Sequence, residues 1–152
     1  MGISTVTRVV QVATEQVRIP VSLARVQRVA ESVLRAEKVV GAIVSVTFVS
    51  DRRMAALNWR HLQHRGATDV ISFGFAPVTH GGALTGDVYI APDVARRNAH
   101  EHGTGIREEL LRLVVHGVLH VVGYDHPVDE ARTASPMWRR QERLLRKVLV
   151  RA

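Results

Sequence analysis

HGVLHVVGYDH, residues 116–126, places three histidines at i, i+4 and i+10. On an α-helix, residues four apart stack on one face, so His116 and His120 can offer ring nitrogens to a single ion. Gly123 stands just past the last periodic apolar residue, where a glycine stops a helix and turns the chain back, bringing His126 toward the first two. Pro127 blocks any continuation of the helix. Upstream, Leu110 to Val122 is apolar on nearly every side and predicts a buried helix, with Thr104 as its cap and Glu108 and Glu109 suiting the positive end of its dipole. One stripe breaks the pattern. At about 100° per residue, Glu109, Arg112, His116 and His120 share a narrow face interrupted only by Leu113. Unpaired buried charge is costly, so that stripe is expected to line a wet cleft.

Three neutral imidazoles suit Zn²⁺, which takes histidine nitrogen at roughly 2.0–2.1 Å, and three protein ligands leave a position open for chemistry. The chain has no cysteine, which removes disulfides and thiolate ligands and leaves histidine and carboxylate to hold a metal. The spacing matches the metzincin peptidase pattern HExxHxxGxxH. Gly117 stands where that pattern has its general-base glutamate, so a peptidase would need a carboxylate from another element.

The same residues resemble the YbeY family of bacterial rRNA maturation factors, whose signature is HGxLHLxGYDH. Leu57-Asn58 followed by Thr68-Asp69-Val70-Ile71-Ser72-Phe73 is similar to that family's LN…PTDVLSF segment, and Gly86-Asp87-Val88-Tyr89-Ile90 to its GD-I strand. The resemblance covers about residues 50 to 130. It implies a single-domain zinc-dependent endoribonuclease with one Zn²⁺ on His116, His120 and His126, acting on rRNA precursors and the small ribosomal subunit. Where the family carries Tyr-Arg, this chain has His61-Leu62, and the family's proline is Ala67. The family arginine is thus missing from its own position, and Arg60 or Arg65 is left to stand in, Arg60 lying two residues before it.

With 152 residues, the chain is the length of one domain, 1–152, able to bury about two-thirds of its unfolded surface. Nearly half the residues are apolar but only 5% aromatic, so the core must be mostly Val, Leu, Ile and Ala. No signal peptide and no apolar run of membrane-spanning length is visible, which predicts a soluble cytoplasmic protein with no membrane partner. The formal net charge of +7 favours a polyanionic partner such as RNA, the alternative being arginines that merely solvate the exterior.

Periodicity fills in the rest. Residues 5 to 12, 42 to 50, 69 to 76 and 87 to 91 read as strands, with Ile71, Phe73 and Phe75 on one face of the third and the small Ser72 and Gly74 on the other. THGGALTG, ending at Gly86, reads as a turn. Helical spacing of Leu23, Val26, Val29, Ala30, Val33 and Leu34 predicts a helix over 21–38, whose outer Arg25, Arg28, Arg35 and Lys38 read as a solvated face. Short helices are predicted from Asp51 to about His61, capped by Ser50, and from Pro92 to about Glu101; a final basic helix follows Ser135-Pro136. His61, His64, His80, His100 and His102 read as surface residues. The fold class is α+β: a single domain with about four strands in a mixed sheet, helices packed on it, and the histidine helix buried at the centre.

The preferred function is therefore a metal-dependent endoribonuclease acting in rRNA maturation and ribosome quality control. Zn²⁺ can acidify a water and polarise a phosphoryl oxygen, and the nucleophile stays open between water and the ribose 2′-OH. Arg60 or Arg65 would meet the developing phosphate charge. Asp125 would orient a ligand imidazole or accept a proton, or simply end the helix turn. Two other classes stand beside this reading: a metallopeptidase of metzincin-like ancestry, and a non-catalytic ribosome assembly factor with structural zinc. The second would be expected to show four protein ligands rather than three.

Overall fold

The computed structural model describes residues 7–77, 81–125 and 135–150. Along them run β1 (Arg8–Thr14), α1 (Leu23–Ala36), β2 (Ala42–Phe48), α2 (Asp51–Leu62), β3 (Val70–Phe75), β4 (Leu84–Ile90), α3 (Pro92–His102), α4 (Ile106–Val122) and α5 (Pro136–Val150). The sheet order is β1-β2-β4-β3, with β1, β2 and β4 parallel and β3 antiparallel at one edge. This is the expected mixed four-stranded α+β domain. Side-chain alternation sends Val10, Val44, Val46, Phe48, Val88 and Ile90 to one face, where they join α1, α4 and α5 in the main core. On the opposite face Ile71, Phe73 and Tyr89 meet Met54 and Leu57 of α2 in a separate small cluster.

Local chemistry sets the helix starts. Ser22, Ser50 and Ser135 each accept a hydrogen bond from the backbone N–H three residues on, at 3.1, 3.2 and 3.1 Å. Several expectations need correction. Thr104 does not cap α4; the cap position falls one residue later, on Gly105, without a side-chain bond, while the Thr104 amide donates to the Ala99 carbonyl at the end of α3. β4 begins at Leu84 and takes in Thr85 and Gly86, read above as turn, since β2 pairs with it continuously from Ala42↔Leu84 to Phe48↔Ile90. β1 is registered from Arg8↔Ala42 to Thr14↔Phe48 and so ends two residues later than expected. Leu23 is exposed at the first turn of α1, and α2 covers Ile71 and Phe73 but leaves Phe75 exposed.

Two close approaches seat α4 on the sheet. A Cβ on Gly117 would come within 2.5 Å of Val88 Cγ1, so only a glycine lets the helix lie this near β4. One turn further, Val121 settles over the cross-strand pair Gly74 and Gly86; a Cβ on Gly74 would meet the Val121 carbonyl oxygen at 2.7 Å, and one on Gly86 would overlap the Val121 side chain. The small residue noted at position 74 therefore admits the helix backbone.

Candidate metal and substrate site

Because Gly117 and Val121 face the sheet, the opposite stripe of α4 is turned into a cleft of about 380 Å³. Glu109, Arg112 and His116 line it from α4, Trp138 and Gln141 from α5, Asn98 and His102 from α3, and Asp69 from the start of β3. His102, read as a surface residue, thus also sits on the cleft wall. His116 and His120 stand edge to face, ring centroids 4.7 Å apart. After them the Gly123 amide bonds back to the Leu119 and His120 carbonyls with φ +123°, which ends the helix where the sequence placed the stop. The Tyr124 hydroxyl then donates to Glu37 Oε2 at 3.0 Å, and Arg140 Nε donates to Glu37 Oε1 at 2.6 Å, pinning the chain after the turn to α1 and α5. Burial, and then this bond to Glu37, push the Tyr124 phenol up.

The polar stripe is satisfied in a particular order. Arg112 gives two parallel bonds to Glu142, 2.9 and 3.1 Å, and reaches Glu108 at 3.2 Å and Glu109 at 3.4 Å. Burial works against its charge, but the carboxylates, Glu142 foremost, hold its pKa above the ordinary value. So engaged, Arg112 has little to offer a substrate. Burial pushes the Glu109 carboxyl above the usual range; Arg112 opposes this and Asp69 adds to it.

Glu142 also accepts from Gln141 Nε2 at 3.0 Å, which fixes the amide so that its Oε1 faces His116 Nδ1, 2.7 Å away. An oxygen can only accept. His116 therefore carries its proton on Nδ1, and Nε2 is the nitrogen suited to a metal, the tautomer control usual for ligating histidines. Gln141 is only 1% exposed. Sequence reasoning missed it, although a polar residue on the buried stripe Met137, Gln141, Leu144, Leu145 of an amphipathic helix was a readable signal.

The other candidates fall as follows. Asp125 is fully exposed, with Oδ1 3.9 Å from His120 Nδ1, an ion-pair distance and too long for a hydrogen bond. Arg60 is exposed on α2 and Arg65 lies in the loop after it, its guanidinium 5.6 Å from the Trp59 ring centre; neither lines the cleft. His126 lies outside the described residues, and among the described residues no three carboxylate or imidazole groups are gathered to hold an ion. The pair His116 and His120, one above the other with His116 Nε2 singled out, fits two ligands of a tripod that a third histidine after the Gly123 turn would complete.

Known proteins share this architecture. The solution structure of a Thermotoga maritima protein superposes with a TM-score of 0.62, covering 93% of this chain and 90% of that one at 23% identity. Curated proteins named Endoribonuclease YbeY extend the likeness to sequence. One from Chlorobium phaeobacteroides is 36% identical over 121 residues, 80% of this chain and 84% of its own. Another from Frankia alni is 38% identical over 146 residues, 88% of this chain and 79% of its own. The family model described as Endoribonuclease YbeY matches residues 11–149, and the chain belongs to that family. Among the described residues no helix is long and apolar enough to cross a membrane.

Proposed function

We propose that this chain is a zinc-dependent endoribonuclease directed at single-stranded RNA, acting in rRNA maturation and ribosome quality control on rRNA precursors and the small ribosomal subunit. Membership of an endoribonuclease family makes RNA the substrate. The observation that carries the metal reading is the Gln141 contact, which leaves Nε2 of His116 available on the cleft wall, with the His120 ring packed edge to face against it. His116, His120 and His126 would hold the ion. When bound, Zn²⁺ supplies Lewis acidity toward a phosphoryl oxygen and an acidified water. The protein's part is orientation: Arg112 and Glu142 hold Gln141, and Gln141 holds the imidazole. The acidic wall of Asp69 and Glu109 favours a cation in the cleft over bare phosphate. Asp125, whose Oδ1 lies 3.9 Å from His120 Nδ1, is assigned to orient that ring or take a proton, and Arg60 to the phosphate that reacts.

The packing of Gly117 against Val88 argues against a peptidase, because position 117 faces the sheet and a glutamate there would point away from the cleft. The test is RNA cleavage by purified protein with metal removed by a chelator and then restored. Cleavage should vanish and return, His116→Ala and His120→Ala should lose both metal and activity, and no peptide library should be cut. Arg60→Ala should slow cleavage with metal content unchanged; undiminished cleavage would transfer the role to Arg65. Cleavage indifferent to metal would leave the zinc structural, and metal-dependent peptide cleavage would overturn the reading.

A further inference from the structure

α1 and α5 lie antiparallel. Arg25 Nη2 near the start of α1 donates to the Val148 carbonyl at 3.5 Å near the end of α5, while Arg140 early in α5 donates to the Ala36 carbonyl at 3.4 Å at the end of α1. Between them runs a second cleft of about 360 Å³, lined by Arg25, Arg28, Arg35 and Lys147 with Glu31 as its single acid. Among the described residues none of these four cations enters an ion pair, whereas Arg53, Arg96, Arg97, Arg112 and Arg140 all do.

Charge is concentrated here to an unusual degree. The two helices carry eight Arg and Lys against two Glu, a net +6, in a chain whose formal net charge is +7. The histidine cleft has the opposite character, with Asp69 and Glu109 against Arg112. It can attract an ion, but it offers an RNA backbone little. Between Gln141, which faces that cleft, and Lys147, which lines this one, α5 rises about 9 Å and rotates about 120° short of two turns, so the two openings lie on different faces of one helix.

We infer that the groove between α1 and α5 is a binding site for the phosphodiester backbone of RNA, separate from the cleft where scission occurs. The identity of the polyanion rests on the endoribonuclease reading. Three guanidiniums and an ammonium along one concave surface suit successive phosphates, gripped without regard to base. The face of α1 that reads in sequence as merely solvated is thus half of a site, because α5, remote in sequence, supplies the other wall.

The experiment compares the unaltered chain, the triple variant Arg28→Gln, Arg35→Gln, Lys147→Gln, and a control triple of exposed cations elsewhere, Arg18→Gln, Arg52→Gln, Arg96→Gln. Thermal unfolding first verifies that each is folded, as expected for exposed side chains. Binding of a labelled single-stranded RNA is then followed across a salt series. Each neutralised phosphate contributes about 0.7 to the log–log slope on single strands, so the groove variant should lose about two units of slope and the control much less. In cleavage assays the groove variant should show a raised KM and an unchanged kcat. An unchanged slope in the groove variant, or an equal loss in the control, overturns the groove while leaving the nuclease reading intact. If the unaltered chain neither binds nor cuts RNA, both fall together.

Discussion

Replacing Gln141 by Leu keeps most of the buried volume but removes the acceptor that holds the His116 Nδ1–H. Metal affinity should fall by about 10–100-fold, the usual cost of losing such an outer partner, and competition with a chromophoric chelator would measure it. Cleavage by this variant should recover in excess metal. Unaltered affinity would show that the amide only fills space. Glu109 offers a second test, through pH. Its carboxyl binds a proton more tightly folded than unfolded, so its contribution to stability is fully present below the ordinary carboxylate pKa and is lost as pH rises through the raised folded value. Glu109→Gln deletes that loss while Arg112 keeps Glu108 and Glu142. The difference in melting temperature, variant minus parent, should therefore grow more positive from about pH 4 to about pH 8; a difference independent of pH would contradict the assignment.

Among the elements, α4 depends most on what is missing from its side chains. Gly117→Ala improves helix propensity by about 1 kcal/mol, yet its Cβ would press on Val88, and overpacking of this kind typically costs about 1–3 kcal/mol. Urea denaturation should show net destabilisation, and the double variant with Val88→Ala should lose less stability than the two single variants sum to; a neutral single variant would mean the helix can lift off the sheet. The helix itself was legible in the sequence, because an apolar run with one polar stripe and a glycine stop permits little else. Its seating was not. Nothing local in the chain says that Gly117 will meet Val88 and that Gly74 and Gly86 will meet Val121, since strand register and helix rotation are decided by contacts between residues distant in sequence. Thr104 was misread for a related reason: the path of the chain between α3 and α4 decides which of two adjacent residues takes the cap position, and it falls on Gly105.

For the molecule as a whole, the sheet order arises only when β4 inserts between β2 and β3, and the polar chain from Arg112 through Glu142 and Gln141 to His116 only when α5 returns to α4. Sequence periodicity placed both helices and the histidine pair, but pairing between helices carries no local signature. Affinity for zinc at the histidine site proposed above should weaken below about pH 6.5 in a chelator competition, as imidazoles must be deprotonated to coordinate. The division of the core has a further consequence. α2 rests on its own small cluster of Met54, Leu57, Ile71 and Phe73, across the sheet from the body that holds α1, α4 and α5. Hydrogen exchange should then be two-tiered, with α2 amides opening at a lower free energy than those of α4, which exchange only with global unfolding. Arg60 rides on that looser tier, so the guanidinium assigned to the reacting phosphate would arrive on an element able to swing in response to RNA without disturbing the helix that holds the histidines.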